Sequence, residues 1–309
     1  MPFEVLVCPQ CGATLPRQAR WRMLPCPNCG AMVSRREDVV QARRIREAAA
    51  ALRAAVPGPV GARLGGAPYR GLALLARSDG SEVYGAVRNE PFGERVVLKL
   101  ARQEGQAAAY AREAEVLGAL QRSEARGFAH FTQRLPQPVA VGRLEGPEAR
   151  PALALRALPG AWGSLAAVAA RQPGGLDPRH AVWMGRRILE VLAFVHDSGW
   201  RHGDLAPEHL VVQPADHGVL IVGWARACQA GDAESARRDL RQVAWTLRAL
   251  LAGASDPASL SAGVPGPIAP LLDRASEGRG PADARAFDQE LQAAALEAFG
   301  PPRFIPFIP

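Results

Sequence analysis

The 309 residues, 48% hydrophobic and 22% charged, suffice for about two domains with a substantial core. No apolar run reaches the roughly 18 residues of a membrane span, and the start, MPFEVLVCPQCG, lacks the basic region and cleavage site of a secretory signal. Membrane and secreted classes are therefore excluded as expectations, and a cytoplasmic protein is expected. The net charge of +7 comes from arginines spread along the chain with few aromatics between them, which reads as a solvated basic surface.

In chain order, the first feature is Cys8-Pro-Gln-Cys11 and Cys26-Pro-Asn-Cys29, two C-x2-C pairs separated by fourteen residues, with Gly12 and Gly30 directly after each pair. Two residues between thiolates let one tight turn aim both sulfurs at one ion, and the glycines tolerate the positive φ of such knuckles. Four thiolates close the coordination sphere, so the site should be structural, and crowded cysteines in a reducing compartment favour metal over disulfides. The array resembles the zinc-ribbon family over about residues 5 to 33, with Cys8, Cys11, Cys26 and Cys29 as Zn2+ ligands. A module this small should draw its folding energy from the metal. Between the knuckles lie Arg17, Arg20, Trp21 and Arg22, which suit nucleic acid or an acidic protein face. The fifth cysteine, Cys228, is expected to be a buried or half-buried free thiol.

Ser34-Arg-Arg-Glu37 reads as a capping box opening a helix, with Val39, Val40, Ala42, Ile45, Ala49 and Leu52 on one side and Arg43, Arg44, Arg46 and Arg53 interleaved, ended by Pro57-Gly58-Pro59. Residues 34 to 56 are expected to be a connecting helix. Next, LALLA, EVYGAV and RVVLKL, broken by Ser78-Asp79-Gly80-Ser81 and by 89 to 93, predict three antiparallel strands across 71 to 100. A helix is predicted at 104 to 121, strands near 137 to 143 and 151 to 157, and helices at 178 to 198, 233 to 252, 267 to 275 and 283 to 298. Of the 37 Lys and Arg residues only Lys99 is lysine. In a chain that otherwise uses arginine as its cation, that marks a site needing a compact ammonium.

Val96-Val97-Leu98-Lys99, Glu113 in YAREAEVLGAL, Asp204 in HGDLAPEH, LRALPG at 155 to 160, LIVGW at 220 to 224 and Asp239 in RRDLRQVAWTLRALLAG follow one another in an order that resembles the protein kinase-like fold, bacterial serine/threonine type, over roughly residues 65 to 300. The implied fold class is α+β, a two-lobed kinase-like domain preceded by a zinc ribbon (1–33) and a helical linker (34–58). The kinase-like domain spans 59–300, with a small lobe at about 65–157 and a large lobe at about 158–300, followed by an apolar Pro-rich tail at 301–309. The resemblance implies that Lys99 and Glu113 form the ion pair that presents nucleotide phosphates, that Asp204 is the base, here vestigial, and that Asp239 supports the catalytic loop from behind.

The same resemblance shows what has been replaced. Phosphoryl transfer in kinases needs two Mg2+ ions, held by the Asn of the catalytic loop and the Asp of D-F-G. Here those positions read His209 and Val222, and neither side chain supplies the oxygen that Mg2+ prefers. Ala76, Ser78 and Ser81 stand where three glycines cover the phosphates, leaving a displaced Gly80. Ala206 replaces the γ-phosphate lysine, and Gly203 replaces the arginine that reads an activation loop. Almost no activation segment separates Trp224 from Glu234, and there is no A-P-E. The expected function is a pseudokinase acting as a binding, scaffolding or regulatory module for a protein partner. Mg2+ is not expected, and ATP binding, if retained through Lys99, should be weak. The alternatives are a divergent ATP-dependent serine/threonine kinase in which Glu208 or His209 recruits metal, and a nucleic-acid-associated regulator using the ribbon and the basic helix. The tail, PPRFIPFIP, cannot be helical and is either a strip docked on its own domain or a partner-binding motif.

Overall fold

The computed structural model describes residues 8, 11, 23–30, 32–34, 60–88, 93–147, 149–158, 160–214, 216–231, 233–253, 256–258, 260 and 263–309. The expected connecting helix after Ser34, the inter-knuckle residues 12 to 22 and the basic residues 43, 44, 46 and 53 lie outside the described residues.

Beside the cysteine cluster, β1 (Met23–Pro25) and β2 (Met32–Ser34) pair antiparallel. The main sheet comprises β3 (Val60–Leu64), β4 (Ala67–Arg77), β5 (Ser81–Arg88), β6 (Glu94–Ala101), β7 (Pro138–Arg143) and β8 (Pro151–Arg156) in the order β3-β4-β5-β6-β8-β7. All its pairings are antiparallel. Strand β3 is not among the expected strands, because its five residues carry little alternation. It nearly closes the sheet: Leu64 bridges to Leu144, and the Glu145 N–H donates to the Arg63 carbonyl at 2.9 Å. The Ser78-Asp79-Gly80 turn joins β4 to β5 as expected. The sheet's own core is Leu64, Tyr69, Val96, Leu98, Ala152 and Ala154, all buried.

Helix α1 (Gln106–Gln121) crosses the sheet and puts Tyr110, Glu113, Val116, Leu117 and Leu120 into the interior. After the one-turn α2 (Phe128–Phe131) and the sheet's last two strands comes α3 (Leu165–Arg171), a helix beyond those expected from sequence. It is nucleated by Ser164, whose side chain accepts the Ala167 N–H.

The second core is helical. Helix α4 (Pro178–Asp197) starts on Asp177, whose carboxylate caps the Arg179 N–H at 2.8 Å with Pro178 in the first turn, an arrangement that satisfies an orphan donor where proline costs nothing. Helices α5 (Ala233–Ala252), α6 (Ile268–Ser276) and α7 (Ala284–Phe299) complete it. Each lies within a residue or two of its expected position, because long amphipathic periodicity with capping signals is a local property. Packed with α4 are β11 (Leu210–Gln213) and β12 (Gly218–Ile221), with the short strand β9 (Gly163–Ser164) on the other edge of β11. The short β10 (Trp200–Arg201) pairs with β13 (Cys228–Gln229). Cys228 is exposed there, correcting the expectation of a buried thiol: in a two-residue edge pairing its side chain has no layer to enter.

The C-terminal strip lies on the helical core. Phe307 is only 7% exposed and packs edge-on against His180 and Trp183, while Phe304 stacks on His217, which in turn stacks on Trp183. Among the described residues no helix is long and apolar enough to cross a membrane.

Candidate functional site

Strand β6 and helix α1 bring the lone lysine to its expected counterpart. Lys99 Nζ lies 2.5 Å from Glu113 Oε2, with the carboxylate fully buried and the ammonium mostly so. Lys99 also sits 5.6 Å from the centre of the Tyr110 ring, one turn earlier on α1. The other carboxylate oxygen, Glu113 Oε1, is buried and meets no hydrogen-bond partner among the described residues. The pair thus holds sheet and helix together while leaving one acceptor unused at its inner end.

Asp204 is carried by a loop whose backbone is fastened from below by α5. Asp239, fully buried, accepts the His202 N–H at 2.9 Å and the Gly203 N–H at 2.7 Å, and His196 Nε2 lies 2.9 Å from it. One and two turns along, Gln242 accepts the Leu205 N–H at 2.9 Å and Thr246 donates to the Leu205 carbonyl at 3.1 Å. Asp239 is the support expected from sequence, whereas Gln242 and Thr246 are additions. Their signal was available: positions 239, 242 and 246 share one helical face, where polar residues inside an apolar pattern need partners. Gly203 has φ +78, and a Cβ there would lie 3.0 Å from the Arg226 carbonyl, so local geometry requires the glycine that stands in the arginine's place.

His202 is fully buried. Its Nδ1 accepts the Asp204 N–H at 3.2 Å and its Nε2 donates to the Val222 carbonyl at 3.1 Å, a pattern that fixes one neutral tautomer. Burial pulls its pKa down to about 4. The unfolded chain takes up that proton near pH 6.5 and the folded chain does not. Stability is therefore full above pH 6.5 and is lost as pH falls toward 4, by roughly 3 kcal/mol from this residue. NMR titration should show the His202 ring unprotonated at pH 5.5; a midpoint near 6.5 would refute the assignment.

His209 and Val222, the two positions the sequence resemblance aligned with metal ligands, lie side by side, the Val222 N–H donating to the His209 carbonyl at 2.9 Å. His209 Nδ1 donates to the Asp204 carbonyl at 2.7 Å, and its ring lies against Gly223, where a Cβ would come within 2.6 Å of it. Gly223 itself has φ +81. The ring is thereby held in place, and the only carboxylate it approaches among the described residues is that of Asp204, at 3.6 Å. This set, one carboxylate beside an imidazole and a valine, does not fit Mg2+, which requires several oxygen ligands. Arg226, which no sequence signal singled out, brings its guanidinium to 3.7 Å from Asp204. It is presented by the 3-10 turn Trp224–Arg226, which is anchored by the buried Trp224 ring packed edge-on against His202 at 4.5 Å. From that turn to the start of α5 the two residues of β13 are the only strand among the described residues.

The Ser78–Ser81 turn, aligned by the sequence resemblance with a phosphate-covering loop, is engaged with itself. The Ser78 N–H donates to the Ser81 carbonyl at 2.8 Å, the Ser81 N–H to the Ser78 hydroxyl at 3.2 Å, and the Tyr110 hydroxyl to Ser81 Oγ at 2.7 Å. The Gln106 amide fills the space beside Gly80. The Ser78 and Ser81 donors that could help cradle a phosphate are therefore satisfied within the loop.

The four sulfurs of Cys8, Cys11, Cys26 and Cys29 all lie within 4.8 Å of one another, with Cys8 to Cys29 at 3.7 Å and Cys11 to Cys26 at 3.6 Å. Disulfides need about 2.05 Å, whereas a tetrahedral ion with Zn–S of about 2.3 Å places sulfurs about 3.8 Å apart. The cluster fits zinc. Burial opposes the Cys26 thiolate, but the Cys29 and Asn28 backbone N–H groups and the neighbouring sulfurs bring its pKa down to about 7, which favours the ligating form. The chain should bind about one zinc, and Cys26→Ser should abolish it, as read by metal analysis of the purified chain.

With this geometry in view, the architecture is that of a protein kinase-like fold, mixed helix and sheet, with a cysteine cluster compatible with a small zinc ribbon ahead of it. The solved structures it matches include the PknI kinase domain of Mycobacterium tuberculosis, at 18% identity and a TM-score of 0.57 over 77% of this chain and 100% of that one. A cysteine-to-alanine mutant of the same domain matches at 19% identity and a TM-score of 0.56, over 77% and 99%. No protein-family model matches the chain, and no curated protein matches it by sequence.

Proposed function

We propose that the chain is a pseudokinase, a kinase-like binding or scaffolding module in which phosphoryl transfer is impaired. The observation that carries this reading is the pair His209 and Val222, brought together at 2.9 Å through their backbones, with no oxygen donor on either side chain. Phosphoryl transfer depends on neutralising phosphate charge, and the two metal ions do most of that work. Lys99 supplies one positive charge and Arg226 another, too little for a free triphosphate to be held tightly. The zinc ribbon (1–33) and the Pro-rich tail (301–309) are the proposed contact surfaces for a protein partner, and the ribbon with the basic stretch behind it (34–58) is the alternative surface for nucleic acid. The kinase-like body (59–300) is the scaffold that carries them, in the cytoplasm.

One observation favours the second reading, a divergent serine/threonine kinase: Lys99 and Glu113 are paired at 2.5 Å, and the Asp204 loop is fully braced by Asp239. ATP hydrolysis and peptide phosphorylation assays decide between them. The pseudokinase reading expects no turnover above background and no Mg2+-dependent shift of Tm with ATP. Turnover that Asp204→Asn abolishes would overturn it in favour of the enzyme.

A further inference from the structure

Away from the nucleotide cleft, a cavity of about 1190 Å3 lies between the second cysteine knuckle (Pro25–Gly30), helices α4 and α7, and the C-terminal strip. This is the scale of a small-molecule site or slightly more, such sites holding about 300–1,000 Å3. Its charge is one-sided. Among the described lining residues are Arg134, Arg179, Arg186, Arg187 and Arg303, against a single carboxylate, Asp216.

Most of these arginines are matched from outside the cavity. Arg179 is paired with Asp177 at 2.7 Å, and Arg186 with Asp288 at 2.8 Å. Arg187 is paired with Glu190 at 2.7 Å, although burial raises the pKa of that carboxyl and so weakens the compensation. Arg134 is different: it forms no side-chain ion pair or hydrogen bond among the described residues, and Asp216 and Glu190 act on it only at a distance. It is also half-buried, and burial together with the neighbouring Arg187 lowers its pKa. The position is built rather than incidental, because its guanidinium occupies the space a side chain at Gly218 would fill. His130, another lining residue, is kept neutral with a pKa of about 4 by burial and by Arg134 and Arg187. A half-buried guanidinium without an acceptor is costly unless an anion completes it.

Part of the lining is apolar and open to water. Leu296 (55% exposed), Phe299 (38%) and Phe304 (51%), three of the large hydrophobic residues left exposed in the described chain, all line this one cavity. Cations and uncovered apolar side chains lining one cavity suit a ligand with an anionic head and an apolar body. We propose that this cavity binds a small phosphorylated molecule, its phosphate held by Arg134 and Arg187 and its apolar body laid against Leu296 and Phe299. Phosphate is preferred to carboxylate because two guanidiniums can then share its three terminal oxygens, each with bidentate geometry.

Calorimetric titration of the full, zinc-loaded chain with phenyl phosphate, inorganic phosphate and benzoate tests this. Phenyl phosphate is expected to bind saturably and more tightly than either of the others, and Arg134→Gln to weaken it by about tenfold or more. The same variant should unfold at an equal or higher temperature than the parent, since an unmatched charge facing Arg187 has been removed; a purely structural arginine would lower it. Should Arg134→Gln not fold, Leu296→Glu, in the exposed apolar lining, is expected to weaken binding by repulsion. Absence of saturable binding, affinity unchanged in both variants, or benzoate binding more tightly than phenyl phosphate overturns the proposal. So does loss of binding in Lys99→Ala, which would place the ligand in the nucleotide cleft.

Discussion

If the proposed pseudokinase reading holds, replacing His209 by asparagine and Val222 by aspartate together should make nucleotide binding depend on Mg2+, which the parent should ignore. Both positions are suitably placed: the Val222 N–H to His209 carbonyl bond of 2.9 Å fixes their separation, and the Asp204 carboxylate lies beside them. The proposal is that oxygen donors, rather than shape, are lacking there. Two oxygen donors restore a coordination set a hard divalent cation can use, and an ion bridging the β- and γ-phosphates adds interactions that Lys99 alone cannot supply. The introduced asparagine would also keep a side-chain N–H able to reach the Asp204 carbonyl, so the loop should survive the change. Mg2+ should then raise ATP affinity by about tenfold or more in the double variant and leave the parent unchanged, as read from Tm with and without the ion. A Mg2+-dependent shift in the parent would mean that another acidic group serves the site.

Asp239→Ala should be the most damaging single change to stability. Its carboxylate is fully buried and accepts two backbone N–H groups, those of His202 and Gly203, with His196 beside it. Alanine leaves both donors orphaned in an interior that water does not reach. The expected loss is about 3–5 kcal/mol, the range for removing one partner of a buried charged network. Asp239→Asn, which keeps one acceptor but turns a donor toward the same N–H groups, should fall between the parent and the alanine variant. Urea unfolding of the three proteins checks the order. An Asp239→Ala loss below about 1 kcal/mol would mean that the loop is held mainly by Gln242 and Thr246.

On the proposed pseudokinase reading, framework and chemistry have parted company in this molecule. Helix α5 fastens the loop that presents Asp204, through Asp239, Gln242 and Thr246, while His209 and Val222 offer no side-chain oxygen beside it. Ser78 and Ser81 show the same division. The turn is in its expected place between β4 and β5, but the Ser78 and Ser81 N–H groups bond within the loop itself, with Gln106 and Tyr110 of α1 against it.

Much of this is legible in the chain itself. Periodicity over sixteen to twenty residues defines α1, α4, α5 and α7, and the Cys8, Cys11, Cys26 and Cys29 spacing marks a four-sulfur cluster. The singularity of Lys99 and the substitutions at His209 and Val222 are visible because residue type alone decides which ions a position can hold. These are properties of short stretches, set by side-chain chemistry and by repeats of 3.6 or 2 residues.

What only the tertiary structure decided were the meetings of residues far apart in the chain, and short elements whose stability is borrowed from neighbours. Strand β3 exists because β4 offers it an edge, and it nearly closes the sheet through Leu144. Cys228 is exposed because its strand pairs with only two residues. Arg226 reaches Asp204, Phe307 sinks beside Trp183, and Arg134 takes the volume left open at Gly218. None of these carries a local signal, since contact across tens of residues is fixed by packing, and packing is settled only when the whole core closes.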